Sequence, residues 1–328
     1  MKLIIVKNNE KYELSFWPMT QFVGTNIPLK KFIIDSLCKH FSSDKYKEYE
    51  DIYIDNILLD GDVPGRKQWE SYRISGKEDI INNLQIGKTS IVAKCIKQYI
   101  ANYDCQDELL QIDEILLHIF EGLNSDMFPG KNIELDYEQE SLFSMIQKMD
   151  VKTKDGSDIH MMNMDDLFDS FLYMVEKQQT ILPEKRLYVF ENIDHMVSLD
   201  KYHLIMERCK ALSEQNNIWF IFSSSIKGYI HIKEDLLSGV NVINNEIFTF
   251  PEYDKFCYFI KNNYPIEINW EEPDVYESLE EIAHLICRSN GITQPQNEVI
   301  LKMINESMGI KIGWKEQPKI PEMRYLLG

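Results

Sequence analysis

The segment with the most chemical potential in this chain is Gly24-Thr25-Asn26-Ile27-Pro28-Leu29-Lys30-Lys31, which follows a strand-like stretch and opens a helix. Against the phosphate-binding pattern G-x-x-x-x-G-K-[ST], Gly24 and Lys30 take the first glycine and the lysine. Leu29 replaces the second glycine, and Lys31 replaces the hydroxyl residue that would hold magnesium. A side chain at Leu29 crowds the phosphate approach and a cation at Lys31 repels Mg²⁺, so turnover is not expected even if an anion can sit at the helix N-terminus. An ordinary loop before an amphipathic helix explains the same residues. Gly87-Lys88-Thr89 is a weaker match, because Asn82 stands where the first glycine belongs and no glycine-rich stretch precedes it. It reads as a helix start, with Gly87 or Thr89 near the cap.

Two further strands fit the same frame. Leu187-Tyr188-Val189-Phe190-Glu191 is an apolar run ending in an acid, as in a Walker B strand, but the next residue is Asn192, an amide that cannot act as a general base. Ile218 to Phe222, followed by Ser223, Ser224 and Ser225, fits the adjacent core strand of ASCE-type ATPases. Taken in order, these pieces predict a P-loop-like sheet with a degenerate nucleotide site drawn from Gly24, Lys30 and Glu191.

In Asn132 to Glu140 apolar and acidic residues alternate, which places Glu134, Asp136 and Glu138 on one side of an extended segment. Such carboxylates repel unless a hard cation such as Ca²⁺ bridges them; a solvated loop is the alternative. The six cysteines are scattered, with no C-x-x-C pair, and the seven histidines form no metal motif, so all are read as structural.

The elements that must position these residues read as α/β. Strand-like stretches at Lys2 to Val6 and Tyr12 to Trp17 lead through a loop containing Gly24 into a helix near Pro28. In that helix Leu29, Phe32, Ile33, Leu37 and Phe41 form the apolar face, leaving Lys30, Lys31 and Lys39 toward solvent. Further strands are expected at Asp51 to Leu59 and Trp69 to Ile74. From Gly87 to about Gln179 the pattern is helical and acidic; at Pro183 buried strands alternating with helices resume, as in a parallel sheet covered on both faces. The expected organisation is an α/β head from residues 1–86 and 183–328, with a helical C-terminal extension from about 251, and an inserted acidic helical domain at 87–182.

Net charge is −18, which on its face opposes a phosphate-backbone partner. The charge is uneven, however: residues 21–100 hold 12 basic and 11 acidic side chains, residues 101–200 hold 7 and 22. The acid therefore belongs mainly to the inserted segment. The longest apolar runs are too short to span a membrane and no signal segment follows Met1, so a cytosolic protein is expected.

The run from Asn132 through Phe143 to Ile146, Lys148 and Val151-Lys152 resembles the acidic linker and helix of the Csn-two family, the type II-A CRISPR adaptation proteins. Lys185 to Asn192, Tyr202 to Leu212 and Asn217 to Phe222 resemble the same family's strand–helix–strand, and the tail beyond Pro251 suits its longer subgroup. The resemblance implies a ring-shaped homotetramer that binds ends of linear double-stranded DNA in its central hole. It also implies a calcium requirement, and action beside the CRISPR integrase and effector nuclease in spacer acquisition. It carries the calcium role onto Glu134, Asp136 and Glu138. Lys30, Lys31, Arg66 and Lys67 are the candidate phosphate contacts, as exposed cations of the head. An active P-loop ATPase, and a protein scaffold with no DNA role, are the competing readings.

Overall fold

The computed structural model describes the chain except residues 43, 103–105, 137–140, 216, 226–227, 267–271, 288–293, 311–320, 323–324 and 326–328. It opens on a hairpin of β1 (Lys2–Lys7) and β2 (Glu10–Ser15). Asn8 and Asn9 make its two-residue turn at φ 51° and 69°, left-handed values that asparagine tolerates and that suit the twist of the flanking strands. Next comes β3 (Met19–Val23), which enters a second sheet and leads into α1 (Ile27–His40). Then β4 (Ile57–Leu59) pairs with β1, giving a small antiparallel sheet of order β2-β1-β4. The stretch 51–59, expected as one strand, begins instead as a 3-10 turn (Glu48–Tyr53).

The chain continues with β5 (Glu70–Ile74), α2 (Lys77–Leu84), α3 (Ile91–Asn102), α4 (Gln106–Met127), α5 (Leu142–Ile146) and α6 (Met164–Ile181). It returns through β6 (Arg186–Glu191), α7 (Leu199–Gln215), β7 (Ile218–Ser223), β8 (Val240–Ile243) and β9 (Ile247–Thr249). The last helices are α8 (Tyr253–Asn263), α9 (Glu272–Ile282) and α10 (Pro295–Ser307).

The main sheet has the order β5-β6-β7-β3-β8-β9, parallel throughout except for β9. The α/β class with a parallel sheet is thus as expected. Strand β3, at its centre, was hidden in the sequence, where this stretch reads as loop. All five of its residues are buried, and its polar Gln21 is satisfied by exchanging hydrogen bonds with the backbone of His231 (Nε2 to O 2.7 Å, N to Oε1 2.9 Å). A buried glutamine on a five-residue strand breaks the apolar run by which central strands are recognised.

One face of the sheet packs Phe22, Leu187, Val189, Ile221 and Ile243 against α1 and the small antiparallel sheet. On the other, Val23, Val240 and Val242 meet Phe256, Ile260, Leu279, Ile282 and Ile304 of α8 to α10. Each such fully buried side chain contributes about 1.5–3 kcal/mol. The tail beyond 251 is therefore part of the head's core.

The chain divides into two compact units, residues 1–77 with 184–328, and residues 78–183. The second is continuous in sequence and interrupts the first; α2 falls mainly within it, where the sequence placed the boundary after residue 86. Its buried side chains come chiefly from α2 (Ile80, Ile81, Leu84), α3 (Ile91, Ala93, Cys95) and α6 (Leu167, Phe168, Phe171, Leu172, Val175).

Candidate nucleotide-like site of the head

Strand β3 is flanked by β7 and β8, so the turn after it lies at the carboxyl edge of the sheet, where α/β folds place their ligands. Gly24 sits there at φ +105°, and a Cβ on it would stand 2.4 Å from the Ile243 carbonyl oxygen. Only glycine fits that approach, and its consequence is a turn pressed onto the end of β8 rather than opened outward. The amides that could cradle a phosphate are spent internally. Thr25 N donates to Asn244 Oδ1 at 2.6 Å, Asn26 N donates to Ile243 O at 3.1 Å, and the Thr25 hydroxyl also donates to Asn244 Oδ1 at 2.8 Å. Asn26 caps α1 by accepting from Leu29 N at 3.1 Å, with Pro28 in the first turn. Leu29 is buried in the core, so the position of the missing second glycine has become a packing position.

Lys30 corrects an expectation. It was placed on the solvent face, yet it is only 2% exposed, and its Nζ donates to the Ser224 carbonyl at the end of β7 (2.5 Å). Burial pushes its pKa down to about 8, with the Asp194 carboxylate opposing the fall. The helical period puts Lys30 one turn from the buried Ile33 and Ile34, which is why a lone cation there turns inward to the strand ends. Asp194 is itself held by Ser225, whose hydroxyl donates to Oδ2 at 2.5 Å. Lys30 is thus withdrawn from the DNA-contact candidates.

Glu191, the Walker B-like acid at the end of β6, is occupied by Arg73 of β5. Arg73 donates from Nε and Nη2 to the two carboxylate oxygens, each at 2.9 Å, and from Nη1 to Asp35 Oδ1 at 2.6 Å. Burial works against the guanidinium charge, but the bonds to Glu191 and then Asp35 outweigh it and hold the pKa above its ordinary value. A bidentate arginine on a carboxylate fills the lone pairs a magnesium ion would use. Sequence reasoning missed Arg73; its register opposite Val189, two residues before Glu191 at the end of β6, is visible only once β5 and β6 are paired. Asn192 follows in a left-handed conformation (φ 54°) that asparagine tolerates.

Of the other cation candidates, Lys31 and Lys67 are exposed and Arg66 is not free. Arg66 caps the carboxyl end of α1, donating to the carbonyls of Lys39, His40, Ser42 and Asp44 at 3.3, 3.3, 3.0 and 2.6 Å, with its guanidinium 4.4 Å from the Tyr46 ring centroid. Two of those carbonyls close the last turn of α1 and two belong to the segment after it, and a planar five-donor fork reaches both. Arg66 is therefore also withdrawn as an exposed contact.

In the inserted unit Glu134 and Asp136 are exposed, and Glu138 lies outside the described residues. Leu135 between them exchanges two hydrogen bonds with the Asn124 side chain, at 2.6 and 2.9 Å. The helix after Gly87-Lys88-Thr89 is capped by Ser90, whose hydroxyl accepts from Ala93 N at 3.1 Å. Among the described residues no helix is long and apolar enough to cross a membrane.

The family model described as CRISPR-associated protein Csn2, subfamily St, matches residues 5–306. The chain belongs to this family. The match runs through both units, the sheet edge around Gly24, Lys30 and Glu191, and the C-terminal helices, and it places the chain's role in CRISPR adaptation. No curated protein matches by sequence. The crystal structure of Stu0660 of Streptococcus thermophilus superposes with a TM-score of 0.86 at 21% identity, covering 97% of each chain. The family member described here thus shares that protein's fold from end to end. An SMC head bound to the C-winged helix domain of ScpA (TM-score 0.42, 14% identity, 78% of this chain and 98% of that one) and the SMC head domain of Thermotoga maritima (0.34, 13%, 76% and 98%) are also similar. At those scores they carry no argument.

Proposed function

We propose that this chain is the subunit of a calcium-dependent homotetrameric ring that binds ends of double-stranded DNA during spacer acquisition, on a P-loop-like head that turns over no nucleotide. The observation that carries this reading is the closure of the nucleotide-like edge by the chain's own groups: Asn244 on the turn amides, Ser224 on Lys30, and Arg73 on Glu191. A nucleotide would have to break all three before meeting a magnesium ion. A head so closed serves as a rigid frame, and membership of a CRISPR-associated family supplies what the frame is for.

Assembly is supported by α4, which leaves Ile112, Ile115, Ile119 and Met127 exposed on one side at 39%, 63%, 49% and 63%. An apolar face of that kind on a charged protein marks a surface meant to be covered, here by further copies. The exposed Glu134 and Asp136 are free for a hard cation, and Lys31 and Lys67 remain the exposed cations of the head proposed to face phosphates. Contact through phosphates implies sequence-independent, salt-sensitive binding. The integrase and effector nuclease are the proposed protein partners.

Gel-shift titration with linear and covalently closed circular DNA of one sequence, with calcium or with excess chelator, tests the reading. Retention of linear DNA only, lost on chelation, is expected. Equal retention of circles, or indifference to chelator, overturns end binding or the metal requirement respectively. One observation favours the scaffold reading: two of four candidate cations are spent internally on a chain of net charge −18. No retention of either DNA in any condition would establish it in place of the ring.

A further inference from the structure

Histidines that look isolated in sequence meet in space. His203 lies on α7 and His231 in the segment after β7, with their rings 4.4 Å apart between centroids. Glu280, on α9, joins them: one ligand-capable atom from each of the three residues lies within 4.8 Å of the others. Both imidazoles keep a buried ring nitrogen with no hydrogen-bond partner, His203 Nε2 and His231 Nδ1. Buried polar atoms are rarely left so unless something fills the place.

The hydrogen bonding around the pair says what would fill it. His231 Nε2 lies 2.6 Å from Glu207 Oε1, so in the neutral ring this nitrogen carries the proton and Nδ1 presents a bare lone pair. That lone pair faces Glu280 Oε1 at 3.9 Å, an acceptor facing an acceptor. A cation held between them would satisfy both.

The supporting shell is already built. Glu207 orients His231, and Lys233 Nζ at 2.8 Å holds Glu207 in turn. The Ile232 amide donates to Glu280 Oε1 at 2.8 Å, and Gln21 of β3 fixes the His231 backbone from both sides. A carboxylate on the outer nitrogen of a ligating histidine is the usual way a protein sets the tautomer for a metal.

We propose that His203, His231 and Glu280 form a site for one transition-metal dication, Zn²⁺ by its donor set, which ties the C-terminal helix α9 to α7 and the strand-end segment. Two imidazoles and one carboxylate suit a borderline ion with one position left for water, and they do not suit calcium, which takes six or more oxygens. A tetrahedral ion holds its ligands about 3.3 Å apart, so the three side chains close slightly on binding.

The full chain, stripped with chelator and desalted, is titrated with Zn²⁺ in saturating Ca²⁺, which separates this site from the calcium proposed above. About one zinc per chain by elemental analysis, a higher Tm, and a visible d–d band with Co²⁺ are expected. His203→Gln, at a half-buried position and with folding checked by circular dichroism, weakens zinc at least tenfold. Glu207→Gln, which touches no metal, weakens it roughly 10- to 100-fold. A wild-type chain that takes up no zinc and keeps its Tm overturns the site. So does zinc binding that is equal in wild type and His203→Gln, which places the ion elsewhere.

Discussion

The carboxyl edge of the head sheet and helix α4 of the inserted unit solve opposite problems. At the sheet edge almost every polar group finds a partner within its own unit: turn amides on Asn244 and Ile243, Lys30 on Ser224, Glu191 on Arg73. On α4 no described side chain is fully buried, and large apolar residues face out along its length. Desolvated polar groups are costly unless paired, so the edge is closed and rigid; apolar surface left in water is costly unless covered, so α4 is unfinished as a monomer. The polar groups of the sheet edge are thus paired internally, and the uncovered apolar surface lies on α4.

The sharpest way to break this contrast is at α4. Ile115→Asp with Ile119→Asp should reduce the proposed assembly from about four chains to one or two by light scattering, because two charges cannot be buried unpaired in a covered interface. The unfolding midpoint of the head should stay put; an unchanged mass would mean that α4 is not an interface.

The next largest effect concerns Lys30. A lysine whose folded pKa has fallen from 10.5 to about 8 destabilises the fold while both states are protonated, below pH 8. The penalty is relieved as pH rises from about 8 to 10.5, since there the unfolded chain binds more protons. Wild type should therefore gain stability relative to Lys30→Met across that window, by up to about 3 kcal/mol, measured by denaturant unfolding at each pH. A flat difference would mean that Lys30 is solvated.

The smallest expected effect is Arg73→Met, which removes the guanidinium shared by Glu191 and Asp35 at the sheet edge. Removing one partner of a buried pair costs several kcal/mol, and the partial exposure of the Arg73 side chain (34%) reduces that to about 2 kcal/mol in urea unfolding. If the loss is absent but magnesium now stabilises the variant, Glu191 keeps a metal-binding capacity that Arg73 merely masks.

Much of this was legible in the chain. The strands around Leu187 to Phe190 and Ile218 to Phe222 announce themselves as unbroken β-branched and aromatic runs, and the helix from Pro28 by its apolar stripe. The defects at Leu29, Lys31 and Asn192 were also readable, since a catalytic pattern is lost by residue type alone. Strands β3 and β8 were not, being short and carrying Gln21 and Asn241, polar residues that are tolerated in the core only through partners distant in sequence.

Residue chemistry by itself therefore determined the fold class, the acidic character of the inserted unit and the loss of a complete phosphate-binding signature, because these depend on composition and local period. Tertiary structure alone decided where the charges go. Lys30 turns inward and Arg66 caps a helix, Arg73 claims Glu191, and His203 and His231 converge with Glu280, because each pairing joins residues whose separation along the chain carries no signal. The Gly24 turn shows both: its glycine is visible in sequence, but only the Ile243 carbonyl pressed against it shows that the glycine closes the site.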